Sequence, residues 1–416
     1  MFRSRVGPWM TAIAVASTAI VMPGSARAQT GGELVAESAA NQYGLHRAWY
    51  TRAQASVGIG RIESIVYHDN TLFVQTRAAT LQAIDAETGR TLWIAHVGKA
   101  EYETMSAGAD KDFVAVTNGE KLYVLRRATG DLVWQTRLGG PPNAGCAVGG
   151  GYTFVPLIDG KVEAYLLRRT NAAEAAAILH FGVGAARAAP LVARKHVYWS
   201  TEAGDLYVDA IDTPMARNRF RAGGPILSTP TVWSPRVFVT SQDGSCYALK
   251  DDGSMVLWQF SAGAPVRNMA VPMNDVVYVV SDTGTLFQIA ASNGEGHWAL
   301  NGVAQVLAAS ATRLYVADIF GQLLVLDAKT GARLGALPAK ALPIRVTNLT
   351  TDRVFLASEA GTIICLHEQQ QTSPLAHTPP IEDKKKPAKK TGEAAPGAEP
   401  AGQTPPGEAA PNPFGM

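Results

Sequence analysis

The stretch that decides the fold is Gly244–Trp258, GSCYALKDDGSMVLW, and the rest of the repeat-bearing chain reads as variations on it. It consists of a glycine turn, an alternating strand, an Asp/Gly hairpin and a second strand that carries tryptophan. Leu81–Trp93, LQAIDAETGRTLW, is an earlier copy of the same unit. Glycine supplies the positive φ that a tight turn needs, and Asp caps such a turn, so the residue types themselves specify both turns.

An aromatic residue recurs at a nearly constant interval and marks the strand before each glycine turn. Glycine follows it by six residues in seven of the eight copies, and Ala79 takes that place in the first. The aromatic residues are Phe73, Phe113, Phe154, Tyr198, Phe238, Tyr278, Tyr315 and Phe355. Their spacing of 37 to 44 residues matches a propeller blade of four short strands, which buries both faces of its sheet only between neighbouring blades.

The sequence therefore predicts an all-β fold, an eight-bladed β-propeller of four-stranded antiparallel blades with almost no helix. Tryptophans on the outer strands, such as Trp93 and Trp258, are predicted to fill the seams between blades. Blades four and seven depart from the pattern, with Phe220 and Leu334 where tryptophan is usual. His46–Thr51 precedes the first complete unit and the last unit is one strand short, so we expect this N-terminal strand to close the last blade.

The two ends of the chain differ in composition from the repeats. Residues 1–28 have a basic start, a short apolar segment and Ala26-Arg27-Ala28, which predict a signal peptide cleaved after Ala28, with an uncleaved anchor as the alternative. Residues 29–45 are expected to be a flexible lead-in, 46–368 the propeller, and 369–416 a disordered tail rich in Pro, Ala, Lys and Glu. We expect an exported monomer in the periplasm or outside the cell, with no stable membrane span after signal cleavage.

Composition argues against several classes of function. Without the three arginines of residues 1–28, the sequence has 34 basic residues against 35 acidic ones. The net charge is then close to zero, which does not favour nucleic-acid binding. The cysteines fall on different blades and are expected to be buried thiols without a disulfide: Cys146, Cys246 and Cys365. No histidine pair has metal-ligand spacing, and no catalytic, cofactor-binding or metal-binding residue is predicted.

One column of the repeat indicates a site. The residue ten positions before each aromatic begins the innermost strand, beside the central channel, and six of these eight residues are polar. The candidate channel-mouth contacts, taken from this column and the position before it, are Glu63, Glu103, Arg187, Arg267, Asn268, Gln305 and Arg345. They are expected to form either a solvated, mutually paired lining or a pocket for a small ligand or a partner's side chain. In the first case Arg345 would neutralise the two glutamates.

The repeat resembles that of the pyrroloquinoline-quinone-like propeller family. Ala83–Trp93 has the family's tryptophan-docking motif, Ala-x-Asp-x-x-Thr-Gly-x-x-x-Trp, and the units ending at Trp134 and Trp258 are similar. The resemblance covers roughly residues 46–367 and implies the propeller fold. It implies no single function, because some members are quinoprotein dehydrogenases and others, such as the propeller lipoprotein of the outer-membrane barrel-assembly machinery, have no enzymatic activity.

Within that family the sequence is closer to the members without activity. The enzymes carry an adjacent cysteine pair over the quinone, a calcium-binding set and long insertions, whereas this sequence has no adjacent cysteines and its units stay near 40 residues. We therefore expect an exported, non-catalytic scaffold without a cofactor, which binds an envelope or secreted protein. The alternatives are a pyrroloquinoline-quinone-dependent dehydrogenase and a small-ligand sensor that uses the channel mouth.

Overall fold

The computed structural model describes residues 34–54, 61–169, 176–212 and 216–377. The predicted signal peptide and the predicted tail beyond residue 377 lie outside the described residues. Among the described residues, no helix is long and apolar enough to cross a membrane.

The described chain folds into eight sheets of four antiparallel strands, which confirms the predicted eight-bladed propeller. Blades one to four consist of β2 (Ile62–His68), β3 (Thr71–Thr76), β4 (Thr80–Asp85), β5 (Thr91–His96); β6 (Gly108–Ala109), β7 (Phe113–Asn118), β8 (Lys121–Arg126), β9 (Leu132–Arg137); β10 (Ala147–Gly149), β11 (Tyr152–Pro156), β12 (Lys161–Leu166), β13 (Ile178–Phe181); β14 (Leu191–Ala193), β15 (His196–Ser200), β16 (Asp205–Ala210) and β17 (Ala216–Arg221). Blades five to seven consist of β18 (Thr231–Trp233), β19 (Arg236–Thr240), β20 (Ser245–Lys250), β21 (Val256–Ser261); β22 (Val271–Met273), β23 (Val276–Val280), β24 (Thr285–Ala290), β25 (Gly296–Asn301); β26 (Val303–Ala309), β27 (Arg313–Asp318), β28 (Gln322–Asp327) and β29 (Arg333–Pro338).

Blade eight is built from both ends of the propeller, as predicted. It contains β30 (Ile344–Arg345), β31 (Val354–Ala357) and β32 (Thr362–Glu368), and its outer strand is β1 (Leu45–Arg52). β1 pairs antiparallel with β32 from Leu45 opposite Glu368 to Arg52 opposite Thr362. Because β1 covers β32, β32 has no free edge. A free edge would offer unpaired backbone groups to other chains.

The antiparallel order gives the propeller two distinct faces. The turn between the second and third strands of each blade lies on the same side of the propeller as the loop that leads to the next blade. We call this side the loop face. The turns between first and second and between third and fourth strands lie on the opposite face.

Neighbouring blades are joined by the tryptophans of the outer strands. Four of these rings lie on a glycine of the next blade's third turn, those of Trp49, Trp93, Trp258 and Trp298, and a Cβ on Gly130 would be 2.5 Å from Trp93 Cε3. The ring of Trp134 instead faces the Arg169 guanidinium, whose Cζ is 4.2 Å from the ring centroid. For every one of these tryptophans except Trp298, the indole N–H donates to a backbone carbonyl of the next blade's third turn, as from Trp93 to Arg127 at 2.7 Å and from Trp258 to Ala291 at 3.1 Å. The predicted role of the tryptophans in the blade seams is therefore confirmed.

Blades three, four and seven have no tryptophan at this position. Blade three has Ile178 there, and in blades four and seven the residue is not the one that the sequence indicated. In blade four the register places Asn218, not Phe220, at the tryptophan position, and the Asn218 amide donates to the Asp252 carbonyl of blade five at 2.7 Å. In blade seven the position is Gly335, not Leu334. The ring of Tyr43 packs there, so close that a Cβ on Gly335 would be 2.3 Å from Tyr43 Cδ1.

Part of the stretch expected to be a flexible lead-in is packed onto the propeller. It contains α1 (Glu37–Gln42), and the buried residues Val35 and Ala40 join the core formed by blades seven and eight. Arg313 Nη1 donates to the Tyr43 carbonyl at 2.8 Å. The third and fourth strands of blade eight, β32 and β1, come from opposite ends of the repeat-bearing chain, so no turn connects them. Tyr43 can therefore occupy the place that a blade-seven tryptophan would fill.

The register of blade two differs from that expected. In the other blades, the aromatic residue of the second strand, one residue of the third strand and the tryptophan position of the fourth strand lie side by side across the sheet. In blade one these residues are Phe73, Ala83 and Trp93. In blade two Ala115 takes that position and Phe113 lies two residues earlier. The cause is a tight two-residue turn, with Asn118 paired directly with Lys121, which shortens the hairpin.

Candidate functional site

Three of the predicted channel-mouth residues share one cavity. Glu63, Glu103 and Arg187 line a cavity of about 610 Å³ on the loop face, where the first strands of blades one to four begin. Ala144, Ala188 and Thr229 are also part of its wall. The repeat column thus brought together residues from four consecutive blades.

The charged groups at this mouth are paired differently from the lining expected. Arg187 binds Glu202 of its own blade, with Nε 2.9 Å from Oε2, and Arg267 binds Asp282 in the same way at 3.1 Å. Glu63 and Glu103 are both exposed, and no cation pairs with either of them within the described residues.

The expectation that Arg345 would neutralise these glutamates was wrong. Arg345 lies half-buried on β30, and burial lowers its pKa while the nearby Asp318 carboxylate acts in the opposite direction. Two free carboxylates at one mouth give it a negative potential, which favours an ammonium or guanidinium group.

Asn268 and Gln305 lie in a different place, a smaller cavity of about 130 Å³ between blades six and seven. Both side chains are used to join blades. Gln305 Nε2 donates to Thr347 Oγ1 at 3.0 Å, and Asn268 Nδ2 donates to the Ala304 carbonyl at 3.2 Å. Asn268 therefore links blade six to blade seven, and Gln305 links blade seven to blade eight.

A buried glutamine that the sequence reading missed shapes the wall of the larger cavity. Gln75 Oε1 accepts from the Ser64 hydroxyl at 2.6 Å and from the Ala107 amide at 3.0 Å, and its Nε2 donates to the Met105 carbonyl at 2.7 Å. It fixes blade one against blade two beside both glutamates. The available signal was a polar residue within the apolar strand β3, Thr71–Thr76.

The described residues offer little nucleophilic or metal chemistry. All three cysteines are free and buried, and burial raises the pKa of Cys146 to about 11 and that of Cys246 to about 12. Such thiols stay protonated at neutral pH. Among the described residues no group of three or more His, Cys, Asp or Glu side chains is placed to hold a metal ion.

Comparisons with solved structures agree on the fold. The structure of BamB from Moraxella catarrhalis has a TM-score of 0.64 at 17% identity, covering 78% of this chain and 98% of that one. The computationally designed Ika8 protein has a TM-score of 0.61 at 14% identity, covering 76% of this chain and all of its own. At these identities the likeness shows the propeller fold alone.

One curated relative is similar over a short segment. Tetrathionate hydrolase of Acidithiobacillus ferrooxidans is 31% identical over 80 residues, which are 19% of this chain and 16% of that protein. Eighty residues are the length of two blades, so the likeness extends over no more than a small part of either chain.

A family model gives the broadest match. The model described as outer membrane protein assembly factor BamB matches residues 28–175 and 255–368, which together are more than half of the chain. Both ranges fall mainly on the blades described above, and they include the tryptophan-docking turns. The chain therefore belongs to the family described as outer membrane protein assembly factor BamB.

Proposed function

We propose that this protein is an exported, non-catalytic propeller that acts as a protein-interaction scaffold in the periplasm or cell envelope. The family description and the fold shared with a BamB structure support a role in the envelope. Its partner would be an envelope or secreted protein, bound by a monomeric propeller.

The observation that carries this proposal is the exposure of large apolar side chains on the loop face. Ile319 and Phe320 are adjacent in the turn between β27 and β28, and Phe320 is 72% exposed. Ile158 and Val183 are also exposed, on neighbouring loops of blades three and four that contact each other. Turn geometry does not require apolar residues at these positions, and adjacent exposed apolar side chains are typical of protein contacts.

Co-purification from the cell envelope tests the proposal. The tagged protein is isolated from its own envelope and the accompanying proteins are quantified by mass spectrometry, for the unaltered chain and for an Ile319→Ser/Phe320→Ser variant. We expect one defined protein to be lost at least tenfold from the variant, equivalent to about 1.4 kcal/mol of binding free energy.

The matched control is Met255→Ser, because Met255 is 49% exposed on the opposite face. This variant should retain the partner, and both variants should keep the unfolding temperature of the unaltered protein. An identical partner set from the loop-face variant and the unaltered protein would contradict the proposal.

A second candidate function is the binding of a small cationic ligand at the channel mouth. The specific observation in its favour is that Glu63 and Glu103 line one cavity without a cation partner among the described residues. Titration calorimetry with putrescine and with arginine tests it. Glu63→Gln and Glu103→Gln should weaken binding, whereas Glu295→Gln, in the third turn of blade six, should not. Equal affinity in all variants would exclude the mouth as the site.

For the quinone-dependent dehydrogenase we expect no activity. A glutamate is present to accept a substrate proton, but the interblade loops that border the cavity are short, the longest being residues 97–107. The protein is incubated with quinone and calcium, and dye reduction is assayed over a panel of alcohols and aldose sugars. Turnover that disappears in Glu63→Gln or Glu103→Gln would favour the dehydrogenase over the non-catalytic scaffold.

A further inference from the structure

A second large cavity lies on the loop face of blade two and has no lining residue in common with the channel mouth. Its volume is about 730 Å³, and it is bordered by the interblade loop of residues 97–107, the turn between β7 and β8, and the end of β9. Its lining includes two tyrosines, Tyr102 and Tyr123, and three basic residues, Lys99, Lys121 and Arg137.

Tyr123 has a hydroxyl group without a protein partner in the described chain, although its side chain is only 9% exposed. The same third-strand position holds Tyr207 in blade four and Tyr247 in blade five, and there the hydroxyl is used. Tyr207 accepts from the Val183 amide at 2.9 Å, and Tyr247 donates to Asp243 Oδ2 at 2.6 Å. Tyr123 lines the cavity, and burial raises its pKa, so its hydroxyl stays neutral and able to donate a hydrogen bond.

The cavity has an excess of positive charge. Arg137 is paired with Glu120, with Nη2 2.8 Å from Oε2. Lys99 and Lys121 also line the cavity, and neither has an acidic partner in the part of the chain that the structure describes. Two ammonium groups are therefore available to an anion.

The wall that carries Lys99 and Tyr102 is held in place by Asn118, which also lines the cavity. Asn118 is buried, accepts from the Lys99 amide at 2.9 Å, and donates to the carbonyls of Lys99 and Tyr102, both at 3.0 Å. Tyr102 rests on Gly119, where a Cβ would lie 3.2 Å from Tyr102 Cβ and Cγ. The backbone of the loop is thus fixed before any ligand arrives, which lowers the entropic cost of binding.

We infer that this cavity binds a small carboxylate carried on a ring. Two ammonium groups and a phenol hydroxyl supply donors for one carboxylate, and the rings of Tyr102 and Tyr123 supply flat walls for a sugar or aromatic ring. The Glu120 carboxylate beside Arg137 disfavours an anion of higher charge. Occupation of this cavity does not depend on the scaffold role of the loop face.

Titration calorimetry at low ionic strength tests the inference with four probes. Glucuronate and 4-hydroxybenzoate are the carboxylates, and glucose and phenol are the neutral rings. At least one carboxylate should bind with Kd below about 1 mM, and its neutral counterpart at least tenfold more weakly. Binding of glucuronate alone identifies a sugar acid, and binding of the benzoate alone identifies an aromatic acid.

Variants assign the binding to this cavity. Tyr123→Phe and Lys99→Met should each weaken carboxylate binding about tenfold, equivalent to about 1.4 kcal/mol. The matched controls are Tyr247→Phe, at the same position of blade five, and Lys250→Met, which is exposed outside the cavity; both should bind as the unaltered protein does. The inference is overturned if neither carboxylate binds below about 1 mM, or if the cavity variants bind as tightly as the controls.

Discussion

At the scale of single residues, a tryptophan ring on a turn glycine is the contact that joins blade to blade. Gly130 has φ of +76° and a Cβ there would reach Trp93. Gly263 has nearly the same φ, +72°, but has nothing within 4 Å of its Cβ position. Comparing substitutions at Gly130 and Gly263 therefore separates the free-energy cost of the backbone conformation from the cost of displacing the Trp93 ring.

We therefore predict that Gly130→Ala destabilises the protein more than Gly263→Ala does. The left-handed conformation costs an L-residue about 1–2 kcal/mol in either variant. Displacing the indole should add about 1–3 kcal/mol in Gly130→Ala alone. Urea unfolding measures both, and equal midpoints for the two variants would mean that the tryptophan seam contributes little.

Single residues also show what the sequence was able to predict of the candidate site. Glu63, Glu103 and Arg187 were found from a fixed offset because the register repeats in every blade. Gln75 and Tyr123 were missed because their role depends on what faces them across a seam, which no periodicity reports.

At the scale of elements, the segment of residues 369–377 acts as a strap over blade eight. Arg353, 1% exposed, donates to the carbonyls of Gln371 and Thr372 at 3.1 and 3.0 Å. The Leu375 amide donates to Asp352 Oδ1 at 2.9 Å. The sequence predicted a disordered tail from residue 369, and the strap was missed because short polar segments show no apolar pattern even when a buried arginine binds them.

Truncation tests the strap. A chain ending at residue 377 should unfold at the same urea concentration as the full chain. A chain ending at residue 368 should be less stable by about 1–3 kcal/mol, because Arg353 and Asp352 lose buried hydrogen-bond partners. Equal stability of the two truncated chains would show that the strap contributes nothing.

The strap also predicts a dependence on pH. Burial lowers the pKa of His377, and its neighbours Asp352 and the Ala309 and Thr351 backbone oppose this. The unfolded chain then binds the proton more tightly, so stability is complete above the ordinary histidine value of about 6.5 and falls as the pH drops below it. His377→Gln should lose less stability than the unaltered protein between pH 7 and 5. An equal loss of unfolding free energy in the variant and the unaltered protein over that pH range would show that His377 is not responsible.

At the scale of the whole molecule, the ring is closed where its two ends meet. β1 pairs with β32, and Trp49 Nε1 donates to the Ala86 carbonyl of blade one at 3.0 Å. Arg353 of blade eight binds Glu87 of blade one, with Nη2 3.0 Å from Oε2. The closure was predictable because a spare strand at one end matched a missing strand at the other, whereas the arginine–glutamate contact had no sequence signal.

Removing the closing strand should open the ring. Deletion of residues 29–52 exposes the edge of β32 and removes Trp49 from the seam, so we expect aggregation and a lower unfolding temperature. Light scattering and thermal unfolding measure these effects. A truncated protein as soluble and as heat-stable as the mature chain would mean that β1 is not needed for closure.

Site-specific photo-crosslinking in the cell envelope tests the scaffold role most directly. A photoreactive residue is placed at position 320 on the loop face and, in a second protein, at position 255 on the opposite face, both exposed. We predict one defined covalent adduct with an envelope or secreted protein from position 320 and none from position 255. The same adducts from both positions, or none from position 320, would contradict a protein-binding loop face.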